Sequence, residues 1–192
     1  MKIGILALQG SYFDHQKYFV KLGVETILVK TPEQLDEIDG LVLPGGESTT
    51  MRTLIDRYNF MSKLKSFCSN KPVFGTCAGM VLLAKENTGF PTHIGVLNVK
   101  LKRNAFGRQV NSFEETVYIN GIGDVEGVYI RAPYIEVASD YVEVLGKHKE
   151  VIVAVKQNNI LATSFHPELT EDLKIGRYFI NMIVQHNKKN KE

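Results

Sequence analysis

No charge of one sign dominates this sequence. The 23 Lys and Arg residues face 21 Asp and Glu, leaving a formal net charge of +2. The basic excess of a nucleic-acid or polyanion binder is missing. Cysteine is scarce, and the two present, Cys68 and Cys77, stand nine positions apart. That spacing fits no metal site and no His/Cys cluster lies nearby, which argues against zinc. A disulfide would consume the better nucleophile candidate, so a reducing cytoplasm is the expected setting. No apolar run approaches the roughly 20 residues of a membrane span. The opening MKIGILAL is too short for a signal peptide's apolar region and cleavage site, and it reads as a strand. Repeats, low-complexity segments and linkers are also missing. The 192 residues therefore suit one domain over 1–192 with a substantial core.

Hydrophobic pattern divides the chain in two. In the first half, apolar runs at 3–8, 24–30, 40–43 and 72–76 lack strict alternation, as in parallel strands buried on both faces. Helical patterns lie between them. One covers 11–22 and is closed by Gly23; another starts at Thr31-Pro32-Glu33-Gln34, a capping box with proline at the first helical position. Residues 48–58 and 61–68 also read as helical, the latter with Leu64, Phe67 and Cys68 on one face. In the second half, shorter β-branched runs at 96–101, 116–119, 125–131, 142–145, 151–156 and 160–164 indicate a partly antiparallel section. A helix over 171–186 closes the chain, and 187–192 reads as a solvated end. The expected fold is α/β: a three-layer sandwich around a central, mostly parallel sheet, with a partly antiparallel, β-rich second half.

Within that frame Gly75-Thr76-Cys77-Ala78-Gly79 carries the chemistry. Cys77 stands where a buried strand turns into a helix, and unpaired amides at a helix start favour a thiolate. Small flanks permit a sharp turn, the geometry that the Gly-x-Ser-x-Gly elbow gives a serine. Downstream, Ser164-Phe165-His166-Pro167-Glu168 offers a histidine and a carboxylate. Cys77, His166 and Glu168 read as nucleophile, base and orienting group. The bland alternative for Cys77 is a small buried hydrophobe, and that reading fits Cys68. For His166 it is a strand-end histidine, although Pro167 argues against continuation of the strand. Pro44-Gly45-Gly46-Glu47-Ser48, Cys77 and His166 each follow a strand of the expected sheet, so they should share its carboxyl edge.

Three stretches resemble the signatures of the class I, triad-type glutamine amidotransferases: Pro44-Gly45-Gly46-Glu47-Ser48-Thr49-Thr50, Phe74-Gly75-Thr76-Cys77-Ala78-Gly79 and Ser164-Phe165-His166-Pro167-Glu168. More narrowly, the chain resembles the glutaminase subunits of pyridoxal 5'-phosphate synthases. That resemblance rests on Leu8-Gln9-Gly10, the Gly-Glu-Ser-Thr-Thr form of the second motif, Arg103-Asn104-Ala105-Phe106-Gly107-Arg108-Gln109 and Ile130-Arg131-Ala132-Pro133. It implies hydrolysis of L-glutamine to glutamate and ammonia through a thioester on Cys77, and delivery of the ammonia to a separate synthase subunit. It further implies Gly46, Glu47, Ser48, Arg103, Ile130 and Arg131 as substrate-binding residues. Gly46 and Ala78 are expected to supply oxyanion amides. This half of the chemistry needs no metal or organic cofactor. The resemblance also suggests that Gln9 and the Pro44-Gly45-Gly46 turn meet the synthase, which would order the oxyanion donors; the plain reading of Gln9 is a strand cap. Two stretches depart from the family pattern, Ser11-Tyr12-Phe13-Asp14 and Ala105, and neither is expected to touch a catalytic position.

Single residues also have plain readings. A lone arginine is most often solvated surface, and Glu47 could simply complement the following helix. His15, His93, His148 and His186 show no identifiable partner and receive no role. Rival functions are a glutaminase serving histidine or purine biosynthesis, a non-catalytic redox-sensing module on the same fold, and a cysteine protease or stress-response hydrolase of related topology. The Arg103 and Ile130-Arg131 motifs favour vitamin B6.

Overall fold

A computed structural model describes residues 1–102 and 112–190. Its parallel core contains β1 (Lys2–Leu6), β2 (Glu25–Val29), β3 (Gly40–Leu43) and β4 (Val73–Thr76), in the order β2-β1-β3-β4. The final strand, β12 (Ile160–Thr163), returns to lie parallel to β4, with Thr163 opposite Thr76. Every residue of β3, β4 and β12 is buried, which explains their unbroken apolar runs, whereas β2 lies at the sheet edge with only Val29 buried, against the expectation for that run. Alternate residues feed two cores. Val42, Phe74 and Leu161 pack with α1 (Tyr12–Lys21) and α5 (Lys174–Lys189). Leu41, Leu43, Val73 and Ala162 pack with α2 (Ser48–Arg57), α3 (Met61–Asn70) and α4 (Ala78–Leu83). The three layers of the expected α/β sandwich are present.

Local signals act as anticipated. The 3-10 turn over Pro32–Glu37 has its capping box, with the Gln34 side chain accepting from the Thr31 amide at 3.0 Å. Gly23 follows α1 with φ +75°, a backbone that disfavours any Cβ. Beyond β12 the sheet turns antiparallel through β11 (Val151–Gln157), β10 (Glu143–His148), β7 (Ser112–Ile119) and β8 (Gly123–Ile130).

Two strands are additional to the expectations: β5 (Ala84–Asn87) and β9 (Tyr134–Ala138), both paired with β6 (Leu97–Lys102). The closing helix starts at Lys174 rather than 171. Thr170 Oγ1 accepts from the Asp172 amide, and Asp172 Oδ1 from the Lys174 amide, holding 170–173 as a turn.

Candidate active site

The parallel strands carry their following loops to one edge, where the site is assembled. Cys77 leaves β4 with φ +47° and ψ −104°, a conformation rare for a non-glycine residue. Its amide donates to the Thr163 carbonyl at 2.8 Å, so β12 braces the turn. The small flanks are obligatory, because a Cβ on Gly79 would enter the Leu43 carbonyl. One on Gly75 would press on the Gly79 and Met80 backbone. This is the strained strand-to-helix elbow inferred from the sequence.

His166 follows β12 by three residues, and its amide donates to the Val128 carbonyl of β8 at 2.8 Å. Pro167 opens a 3-10 turn, Pro167–Leu169, that carries Glu168 beside the imidazole. His166 Nδ1 and Glu168 Oε1 are 2.7 Å apart, and Cys77 and His166 line the same cavity. Burial disfavours the charged imidazole, but the neighbouring Cys77 and Glu168 outweigh it, raising its pKa to about 10. Burial likewise opposes the Glu168 carboxylate, but His15 and His166 hold its pKa well below the usual range. The candidate nucleophile, base and orienting group are thus brought together at one edge of the sheet.

That cavity, about 500 Å³, opens at this edge. Gly46, Glu47, Ser48 and Ala78 line it with Cys77 and His166, and Ile130 and Arg131 contribute as well. Gly45 must be glycine, since a Cβ there would overlap the His166 ring. The Ile130 carbonyl lies 3.9 Å from Cys77 Sγ, and Arg131 has a left-handed backbone, φ +45°. Glu47 caps α2, accepting from the Thr49 and Thr50 amides at 3.1 and 2.7 Å. Slight burial opposes its charge, but those bonds bring its pKa down to about 2. The plain helix-complementing reading of Glu47 therefore holds, and the residue also lines the cavity. Gln9 Oε1 accepts from the Glu47 amide at 2.9 Å, tying the β1 loop to the same turn. Arg103 and the rest of the 103–109 motif lie outside the described residues.

Two expectations fail. Ser11, in the stretch that departs from the family pattern, does touch a proposed catalytic residue: its hydroxyl donates to Glu168 Oε1 at 2.9 Å. His15, given no partner, lies fully buried with Nε2 3.0 Å from Thr76 Oγ1 and 3.3 Å from Glu168 Oε1. The other histidines are also partnered, His93 with Asp56, His148 with Glu115 and His186 with Asn190. Asp14 and Leu169 join the cavity lining without having been singled out.

Comparison with known proteins adds a second line of observation. A family model described as the SNO glutamine amidotransferase family matches residues 5–185. The chain belongs to that family. It is 55% identical over 186 residues to a protein of Bacillus cereus (strain G9842) named pyridoxal 5'-phosphate synthase subunit PdxT, with 95% of each chain covered. The protein of that name from Bacillus cytotoxicus is similar to the same extent, 55% over 186 residues and 95% of each chain. Among solved structures, one described as a glutamine amidotransferase superposes with a TM-score of 0.91 at 43% identity, covering 94% of this chain and 98% of the other. A putative GMP synthase component from Thermoplasma acidophilum shares the fold at 19% identity, with a TM-score of 0.72 and coverage of 100% and 98%. Membership fits an elbow cysteine facing a histidine–glutamate pair.

Proposed function

We propose that this chain hydrolyses L-glutamine through a Cys77–His166–Glu168 triad and delivers the ammonia to a pyridoxal 5'-phosphate synthase subunit. Glutaminase activity follows from membership of the glutamine amidotransferase family, and the relatives' names supply the synthase. The observation that carries the mechanism is that Cys77 and His166 line one cavity, with Glu168 2.7 Å from the imidazole. Cys77 attacks the side-chain amide carbon, and the C–N bond breaks as His166 protonates the departing ammonia. Water, deprotonated by His166, then cleaves the glutamyl thioester and returns the thiol. Glu168 holds the imidazole tautomer and stabilises its cation.

Gly46 and Ala78 are the proposed oxyanion donors, and Ser48, Ile130, Arg131 and Arg103 the proposed contacts to the glutamine backbone charges. Glu47 shapes that wall from its cap position. The domain is taken as 1–192, and a thiol nucleophile suits a reducing cytoplasm.

The Gly45 carbonyl accepts from the Ser11 amide at 3.0 Å, which sets the orientation of the Gly45–Gly46 peptide. A partner docking on Gln9 and this turn would reset that peptide and complete the oxyanion site. One oxyanion donor is worth roughly 2.7–4 kcal/mol, so activation of about a hundredfold is expected. The test is steady-state ammonia release at saturating glutamine, with and without a complex-forming synthase subunit. An unchanged rate would rule out the gating, and no ammonia under either condition would rule out the glutaminase reading.

A further inference from the structure

Glu168 is unusual in how its donors are distributed. Its side chain is fully buried, yet Oε2 meets no hydrogen-bond partner among the described residues. All the contacts fall on Oε1: His166 Nδ1 at 2.7 Å, Ser11 Oγ at 2.9 Å and His15 Nε2 at 3.3 Å. The orientation of the carboxylate therefore depends on donors to one oxygen, and the loss of one is not compensated at the other. A buried polar group left short of donors is costly, so these contacts matter more than their number implies.

Ser11 and His15 come from the same place, the N-cap and first turn of α1, four residues apart and so on one face. Tyr18 continues that face, and its hydroxyl accepts from the Gly176 amide at 3.0 Å and donates to the Asp172 carbonyl at 3.1 Å. The start of α1 is thereby fixed against α5 and the turn preceding it. The tautomer of His15 follows from its surroundings. Its Nδ1 is buried without a partner among the described residues, while Nε2 faces a carboxylate oxygen and a hydroxyl. A lone pair on Nε2 would repel the carboxylate, so the proton belongs on Nε2. That N–H bonds Thr76, the residue immediately before the candidate nucleophile, and stands 3.3 Å from Glu168 Oε1.

We propose that Ser11 and His15 are positioning residues, a clamp from α1 that aims Glu168 at His166 and ties the carboxylate to the Cys77 elbow through Thr76. The proposal rests on the triad reading above. His15 does not line the cavity, so it acts through Glu168 and leaves glutamine binding alone. A small misplacement of the carboxylate tilts the imidazole relative to Cys77, and misplacement near 1 Å costs up to about a hundredfold in rate.

The test compares His15→Leu, His15→Gln, Ser11→Ala and the control Cys77→Ala, each in complex with the synthase subunit, with kcat and KM for glutamine taken from ammonia release. Leucine removes the donor, whereas glutamine replaces Nε2–H with an amide N–H at similar reach. The clamp predicts a kcat about tenfold lower for His15→Leu with KM within about twofold, and recovery of most of that loss in His15→Gln. Ser11→Ala should lose about threefold in kcat. If His15→Leu does not fold, Ser11→Ala and His15→Gln decide: a loss in the first with near-normal kcat in the second supports the clamp. Unchanged kcat in Ser11→Ala and in folded His15→Leu would overturn it, as would a His15→Gln variant as impaired as a folded His15→Leu. With Cys77→Ala inactive, such results sink the clamp and leave the triad standing. An active Cys77→Ala would sink both.

Discussion

Cys68 and Cys77 are the same side chain, nine positions apart, both free and both buried, yet they sit in opposite surroundings. Cys68 sits on the inner face of α3 with Leu64 and Phe67, and burial pushes its thiol up to about 12. Nothing charged offsets that cost, so the group stays a neutral, inert hydrophobe. Cys77 is nearly as enclosed, at 8% exposure, but it borders the cavity beside an imidazole whose pKa is raised. Burial alone therefore does not separate a structural thiol from a candidate nucleophile. The difference lies in the partner, and in a backbone that spends strain to present the sulfur.

The largest effect expected from breaking this contrast is that of Cys77→Ala. Alanine keeps the elbow's small volume and removes the nucleophile, so glutamine hydrolysis should fall by at least about a thousandfold while the fold persists. Circular dichroism would check the fold, and substantial ammonia release from the folded variant would end the nucleophile assignment. His166→Asn should come next, suppressing thioester formation and its hydrolysis by about the same order. Glu168→Gln should be milder, on the order of a hundredfold, because an amide still bonds the imidazole but stabilises its cation poorly. Reversal of that order would mean the two roles are misassigned.

His166 also makes a prediction about pH. Its pKa in the fold, raised to about 10, exceeds the unfolded value of roughly 6.5. The charged ring's stabilisation is therefore fully present below about pH 6.5 and is lost as pH rises through about 10. Urea denaturation of the native chain and of His166→Asn, repeated across that window, should show their stability difference change in favour of the variant as pH rises. A difference that stays flat would deny the imidazolium in the folded state.

A smaller effect is selective labelling. Iodoacetamide at neutral pH should modify Cys77 at least about tenfold faster than Cys68, as peptide mass mapping would show. Saturating glutamine should protect Cys77. Equal labelling of both thiols in folded protein would erase the contrast between them.

How much of this was legible in the sequence depends on how local each cause is. The elbow, the Thr31 capping box and the buried strands are specified by adjacent residues, and the structure contains them. Strand β5, Ala84-Lys85-Glu86-Asn87, was hidden because both middle residues are charged and exposed, and its existence depends on the pairing supplied by β6. Strand β9 begins just after Pro133 and alternates weakly, with its hydrogen bonds coming from β6 and β11. His15 was missed because Glu168 lies 153 positions away. One signal was available: His15 shares the buried stripe of α1 with Tyr18 and Phe19, and a polar residue in such a stripe requires a partner. Ser11 was missed because a departure from a family pattern was expected to leave the catalytic positions untouched, whereas α1 packs against the turn carrying Glu168. Where the candidate site needed only one stretch of chain, the stretch revealed it; where it needed two, only the fold did.

Cys68→Ala is the smallest predicted effect and completes the comparison. Alanine loses a buried sulfur from a tightly packed helix face, and no polar group is left unpaired by the change. The cost should be about 1 kcal/mol, reflecting lost transfer energy and a small cavity. In a chain of this size that lowers the melting temperature by about 2–4 °C. Calorimetry would measure it, and kcat for glutamine should remain within about twofold, since α3 contributes nothing to the cavity lining the triad. A stable Cys68→Ala protein with strongly reduced kcat would mean that α3 is coupled to the elbow. In that case the two cysteines could not be treated as independent, one structural and one chemical.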